Sequence, residues 1–331
     1  LAGIMTGLFA AVLAIFPGLA SWGYAAWHQR WPSTLRKCLL LSACWVTMEA
    51  LRSWALTGFP WLLMGYSAMD SPFEGYLSWI GTFGASAMMA LCAAALVALV
   101  TDRQWQTILI PTAVLFIGVT AQALFQPKLL DQSVRVALWQ PLIVQSEKWK
   151  PEYLDSIVAN HVRRGLPSDA DVIVWPETAL PMTDQQARRI LPDLDALLIR
   201  DEQTLIAGVL GQDDGRYTNR LMTFGQGAGT YDKTRLVPFG EYVPLESWLR
   251  GLIAFFDLPM SSIVPGTAQD LLRHDTLIMA PLICYEIAYT GLARAATKHA
   301  NAILTVSNDT WFGDSIGPDQ HLEIARIRAR E

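Results

Sequence analysis

Charge is nearly absent from the first 133 residues. They hold 11 of the chain's 55 Asp, Glu, Lys and Arg, and the following 198 residues hold the other 44. A helix needs about 20 apolar residues to cross the hydrocarbon core of a bilayer. Four stretches meet that length, at approximately 1–22, 38–57, 77–100 and 107–125. Residues 1–130 therefore read as an α-helical transmembrane bundle of about four spans. Residues 131–331 carry the charge of an ordinary soluble domain. Of the 13 Trp, 8 fall before residue 130, several near span ends, which suits an interfacial aromatic belt. The chain opens on Leu1 inside an apolar run and stops at Glu331 within a helical pattern, so it reads as part of a longer protein. Further spans without a charged n-region or cleavage site argue against a signal peptide.

The connection between the first two stretches carries Arg30, Arg36 and Lys37, whereas the next carries Asp70 and Glu74 and no base. The positive-inside rule then puts the first connection in the cytoplasm and the soluble domain outside, facing the periplasm from an inner membrane. Glu49 and Arg52 share a face of the second span. An intramembrane charge is costly, so they read as a structural ion pair or as a polar patch near lipid headgroups. The connection 58–66 is too apolar for a free loop, and reads as an interfacial amphipathic arm or a frayed extension of the span. Net charge is −5 with no basic stripe, which gives nucleic-acid binding no support.

After Val134 short β-rich runs (134–140, 172–176, 205–209, 221–224, 277–286, 302–308) alternate with helical patterns (152–164, 185–200, 288–299, 320–330), the signature of a layered α/β domain. Three places carry chemistry. Glu177 follows the apolar run Val172-Ile173-Val174-Trp175-Pro176; a turn carboxylate capping a helix is the bland reading. Lys233 precedes Glu241 by eight residues across a Pro-Phe-Gly bend, where a solvated surface Lys is the bland reading. Cys284 ends an apolar strand, where free Cys is often a small buried hydrophobe. Cys38, Cys44 and Cys92 fall in the apolar stretches, which leaves Cys284 without a disulfide partner in an outward-facing domain. The five His show no metal-ligand spacing, so neither a metal nor a cofactor is expected.

In the order Glu177, Lys233, Cys284 these residues resemble the carbon–nitrogen hydrolase (nitrilase) superfamily. Joined to membrane spans, the pattern is similar to its membrane-bound apolipoprotein N-acyltransferases. The segments Leu56-Thr57-Gly58-Phe59-Pro60-Trp61, Leu236-Val237-Pro238-Phe239-Gly240-Glu241, Phe256-Asp257-Leu258-Pro259-Met260-Ser261-Ser262, Ile283-Cys284-Tyr285-Glu286 and Ser307-Asn308-Asp309-Thr310-Trp311-Phe312-Gly313 carry the likeness. It implies a nitrilase-like αββα sandwich, Cys284 as nucleophile, Glu177 as general base and Lys233 as electrostatic stabiliser. It further implies Glu241 as a second acid orienting Lys233, Tyr285 and Glu286 shaping the pocket, and Trp149 as a loop Trp near the site. Trp149 also reads as an ordinary amphipathic anchor, and the apolar stretch 252–260 as either a membrane-dipping lid or core packing. The implied reaction moves an acyl chain from a phospholipid, such as phosphatidylethanolamine, through a Cys284 thioester to the amine of a diacylglyceryl-cysteine apolipoprotein. A membrane-tethered amidase and a non-catalytic lipid-binding protein remain as competing readings.

Overall fold

The computed structural model describes residues 2–126, 133–238, 240–242, 263–268 and 270–331. The apolar stretch 252–260, the segment 256–262 and Phe239 lie outside the described residues. The chain divides into two compact units, Leu1–Leu129 with Glu323–Glu331, and Leu130–Leu322.

The first unit is built on α1 (Ala2–Trp27), α2 (Thr34–Trp54), α3 (Glu74–Thr101) and α4 (Leu109–Leu124). Among the described residues, three stretches are long and apolar enough to cross a membrane: Thr6–Arg30, Glu74–Thr101 and Trp105–Leu124. The second of the four expected spans, α2, has the length but is diluted by Arg36, Lys37, Glu49 and Arg52. Side chains such as Ile4, Val100 and Phe116 stay exposed, as lipid-facing positions do. Helices α3 and α4 approach closely at Gly75 and Gly118. A Cβ on Gly75 would sit 2.1 Å from the Gly118 carbonyl oxygen, so the contact depends on the missing side chain.

Glu49 and Arg52 do not pair with each other, contrary to the ion-pair expectation. Glu49 Oε1 accepts from Trp45 Nε1 at 3.1 Å and from the Met64 amide at 2.7 Å. Arg52 Nη2 donates to the carbonyls of Trp61 and Leu62, each at 3.0 Å. The segment 58–66 is neither a surface arm nor a helix extension beyond the turn Ala55–Thr57. It folds back through the unit, with Trp61 and Leu63 buried. Non-helical backbone in an apolar setting needs partners, and the two charged side chains supply them. The chain's last residues belong to this unit as well. Arg326 pairs with Asp70 at 2.8 Å and Arg330 with Glu74 at 3.0 Å.

The second unit holds two sheets. One has β1 (Val136–Leu138), β2 (Val172–Val174), β3 (Thr204–Asp213), β4 (Arg216–Gly225) and β5 (Thr230–Asp232), in that order. Strands β1, β2 and β3 run parallel, and the β3–β4 and β4–β5 pairs antiparallel. The other sheet has β6 (Leu272–His274), β7 (Leu277–Ile283) and β8 (Ala302–Val306), antiparallel then parallel. Period-two alternation assigns the faces. Ile173, Leu205, Ala207, Val209, Met222 and Phe224 pack beneath a helical layer. Their neighbours Val172, Val174, Ile206 and Leu221 face Met279, Ile283, Leu304 and Val306 of the second sheet.

The helical layer on the first sheet comprises α5 (Gln145–Lys148), α6 (Pro151–Asn160), α7 (Asp184–Ile190) and α8 (Leu194–Arg200). Helix α9 (Thr290–Ala296) lies against β7, and α10 (Gly317–Arg330) closes the described chain. This is the αββα sandwich. The expected helix 185–200 is two helices, because Pro192 removes a backbone donor between them. The expected strand 277–286 ends at Ile283 and turns into Cys284–Ala288. Strands β5 and β6, three residues each, carry too few residues for a periodicity and escape the sequence reading.

Candidate active site

Glu177 leaves the C-terminal end of β2, where a parallel strand presents its following loop. That loop presses against β3 at Gly208: a Cβ there would lie 2.2 Å from the Thr178 amide nitrogen. The carboxylate is buried and fully engaged. Oε1 accepts from Asn219 Nδ2 at 2.7 Å, and Oε2 from the Asn308 amide at 2.9 Å. Lys233, at 1% exposure, follows β5 and projects its ammonium between two carboxylates. Nζ is 2.9 Å from Glu241 Oε1 and 3.7 Å from Glu177 Oε1. Burial alone disfavours the ammonium, but Glu177 and Glu241 outweigh it and hold the Lys233 pKa above its ordinary value. Glu241 is fixed in turn by the Val237 amide at 2.8 Å and by Asn219 at 3.1 Å.

Cys284 sits where β7 ends, in the left-handed region at φ 54°. That conformation costs a non-glycine residue about 1–3 kcal/mol and concentrates at functional sites. Burial, and then the charge of Glu177, push its thiol up to about 12, against the lowering influence of Lys233 and of a hydrogen bond with Ser307. The thiol therefore rests protonated beside a carboxylate, and can ionise when its proton has a destination and its charge a partner. Glu286 is completely buried. Its oxygens accept from the amides of Thr234, Arg235 and Ile283 and from the Tyr231 hydroxyl, at 2.8–2.9 Å. It thus joins the residue after Lys233 to the residue before Cys284. Tyr285 packs edge-on against Tyr289 at 5.4 Å. Trp149 lines a cavity of about 360 Å³ with Lys148, Leu154, Met182 and Arg189, and its indole Nε1 is buried without a hydrogen-bond partner. Among the described residues no cluster of His, Cys, Asp and Glu could hold a metal ion.

A carboxylate, an ammonium and a thiol held together on a two-sheet sandwich suit nucleophilic acyl chemistry. Residues 1–95 match the apolipoprotein N-acyltransferase N-terminal domain, and residues 123–331 match the carbon–nitrogen hydrolase family. An apolipoprotein N-acyltransferase of Pseudomonas syringae is 41% identical over 343 residues, covering 100% of this chain and 68% of that protein. The chain belongs to the apolipoprotein N-acyltransferase family. A second member, from Azotobacter vinelandii, is 39% identical over 346 residues, covering 100% of this chain and 67% of its own. A solved CN-hydrolase superfamily protein of Xanthomonas campestris aligns with a TM-score of 0.42 at 15% identity, over 59% of this chain and 71% of that one. The chain is an acyltransferase and a membrane protein, and its catalytic fold is the nitrilase sandwich.

Several residues of this acyltransferase site have no motif to announce them. Asn219 bridges Glu177 and Glu241 from β4; its only sequence signal is a polar residue two places before Leu221 on the same strand face. Lys148 is buried and donates to the Glu177 carbonyl at 2.9 Å. Burial lowers its pKa to about 8, against the opposing charges of Glu177 and Cys284. It stands one residue before Trp149, where a lone Lys looks solvated.

Proposed function

We propose that this chain transfers a fatty acyl group from a phospholipid to the N-terminal amine of a diacylglyceryl-cysteine apolipoprotein. The observation that carries this reading is Cys284, set at a strained strand end within electrostatic reach of the buried Glu177–Lys233–Glu241 cluster. Glu177 takes the thiol proton, and the thiolate attacks the acyl ester carbonyl. Lys233 steadies the charge that develops on the carbonyl oxygen. The carbon–oxygen bond breaks, the departing lysophospholipid oxygen takes the proton from Glu177, and a thioester remains. The acceptor amine then attacks the thioester and gives its proton to Glu177. As the amide forms, the carbon–sulfur bond breaks, and the proton returns to Cys284. Phosphatidylethanolamine is the proposed donor class. The proposed location is the inner membrane, with the catalytic domain facing the periplasm.

The test is intact-protein mass spectrometry after incubation with phosphatidylethanolamine vesicles. The expected result is one fatty-acyl adduct that Cys284→Ala abolishes and an amine acceptor discharges. An adduct persisting in Cys284→Ala overturns the nucleophile. A thioester that water discharges as fast as an amine favours the amidase reading instead.

A further inference from the structure

Behind Cys284, on the side of its backbone carbonyl, lies a histidine outside the triad. The His321 side chain is only 6% exposed. Its Nδ1 is 2.9 and 3.1 Å from the two carboxylate oxygens of Asp309, and its Nε2 is 3.1 Å from the Cys284 carbonyl oxygen. Asp309 Oδ1 also accepts from the Ser307 hydroxyl at 2.5 Å. A carbonyl oxygen and a carboxylate only accept, so each ring nitrogen must supply a proton, and only the imidazolium carries both.

We infer that His321 is a positioning residue that works as a fixed imidazolium, tying the nucleophile's peptide to Asp309. This rests on Cys284 being the nucleophile. Cys284 holds a left-handed backbone conformation that a free chain would leave, and a charge-assisted hydrogen bond on its own carbonyl opposes that relaxation. The surroundings favour the charged ring. Burial opposes it, but the hydrogen bond and charge of Asp309, the Cys284 carbonyl and the charge of Glu177 together raise its pKa. Asp309 faces it from the turn Asp309–Phe312, Cys284 from the end of β7, and the charge of Glu177 acts on it from the loop after β2, where Lys233 and Lys148 approach Glu177. On its own helix, Asp319 and Glu323 stand two positions away and point elsewhere. A histidine with a raised pKa is charged below that value and loses the charge as pH rises through it. The effect on acylation therefore falls on the alkaline side.

Two measurements on the full-length protein in detergent test this. The first needs no substrate: nitrogen NMR of selectively labelled histidine, with the His321 signal assigned by its loss in His321→Gln. Both ring nitrogens should stay protonated at about pH 7.5, where an ordinary histidine is mostly neutral. A neutral His321 at that pH, with the proton on Asp309, overturns the proposal. The second follows Cys284 acylation against pH by the mass of the adduct. Asp309→Asn should move the alkaline fall to lower pH by about one unit or more, and His321→Gln should slow acylation about ten- to a hundredfold with that fall removed. A loss in either variant that is the same at every pH marks a merely structural role and overturns the charge. An alkaline fall that Asp309→Asn leaves in place belongs to Lys148, and also counts against the proposal. Absence of any adduct in the unaltered protein removes the acyl-transfer reading, while the NMR result still stands or falls by itself.

Discussion

At the scale of single residues, the site is a problem of two carboxylates and one ammonium in a dry interior. Glu177 and Glu241 approach the same Lys233 Nζ, and their mutual repulsion is relieved by Asn219, whose amide donates to both. Asn219→Ala leaves each carboxylate one donor short, a loss of about 1–3 kcal/mol for each buried acceptor. The expected outcome is a fold that still forms and a Cys284 acylation rate lowered about tenfold or more, read as the time course of the adduct. A rate within twofold of the unaltered protein would remove Asn219 from the site. Sequence made Glu177 and Cys284 visible because each closes a plainly apolar run, and Lys233 because it precedes Glu241 by eight residues across a Pro-Phe-Gly bend. It left Asn219, Lys148 and His321 invisible, because their partners lie 22 and 42, 29, and 12 and 37 residues away and no local pattern marks such distances.

At the scale of elements, the reach of the sequence follows the length of the repeating pattern. The long strands β3 and β4 and the buried strand β2 show their apolar faces directly, and α6 shows its helical period. Strands β5 and β6 are placed by pairing with β4 and β7, a tertiary fact with no local trace. Segment 58–66 was open to two readings, and neither holds. Its backbone partners are side chains of α2 whose own costs suggested an ion pair. Glu286 works at this scale too, because it ties the end of β5 to the end of β7. Glu286→Ala strands the amides of Thr234, Arg235 and Ile283 in a buried position. The expected cost exceeds about 3 kcal/mol, at about 1–3 for each unsatisfied group. Thermal unfolding in detergent should show a midpoint lowered by several degrees. An unchanged midpoint would mean that water replaces the carboxylate and that Glu286 is no brace.

At the scale of the whole molecule, sidedness turns on α2. If α2 crosses the membrane with the three apolar stretches, the chain changes sides four times, and the catalytic domain ends opposite Arg30, Arg36 and Lys37. If α2 lies on the surface, three crossings remain and the domain shares a side with those bases. The physical case favours crossing. Helix α2 has 21 residues, or about 31 Å of helix, enough for the hydrocarbon core. Its basic pair Arg36 and Lys37 lies in the first turn, and Glu49 and Arg52 lie near its end with their charge spent on the 61–64 backbone. Between them, the Ser42 hydroxyl is satisfied by the Ala87 carbonyl at 2.7 Å, so the middle exposes little that lipid would reject. An impermeant amine reagent applied to intact spheroplasts should therefore label the exposed Lys298 and spare Lys37 until the membrane is opened. Labelling of Lys37 with protection of Lys298 would invert the orientation. Labelling of both before lysis would show that α2 does not cross while leaving the domain outside, and labelling of neither would take the periplasmic assignment away.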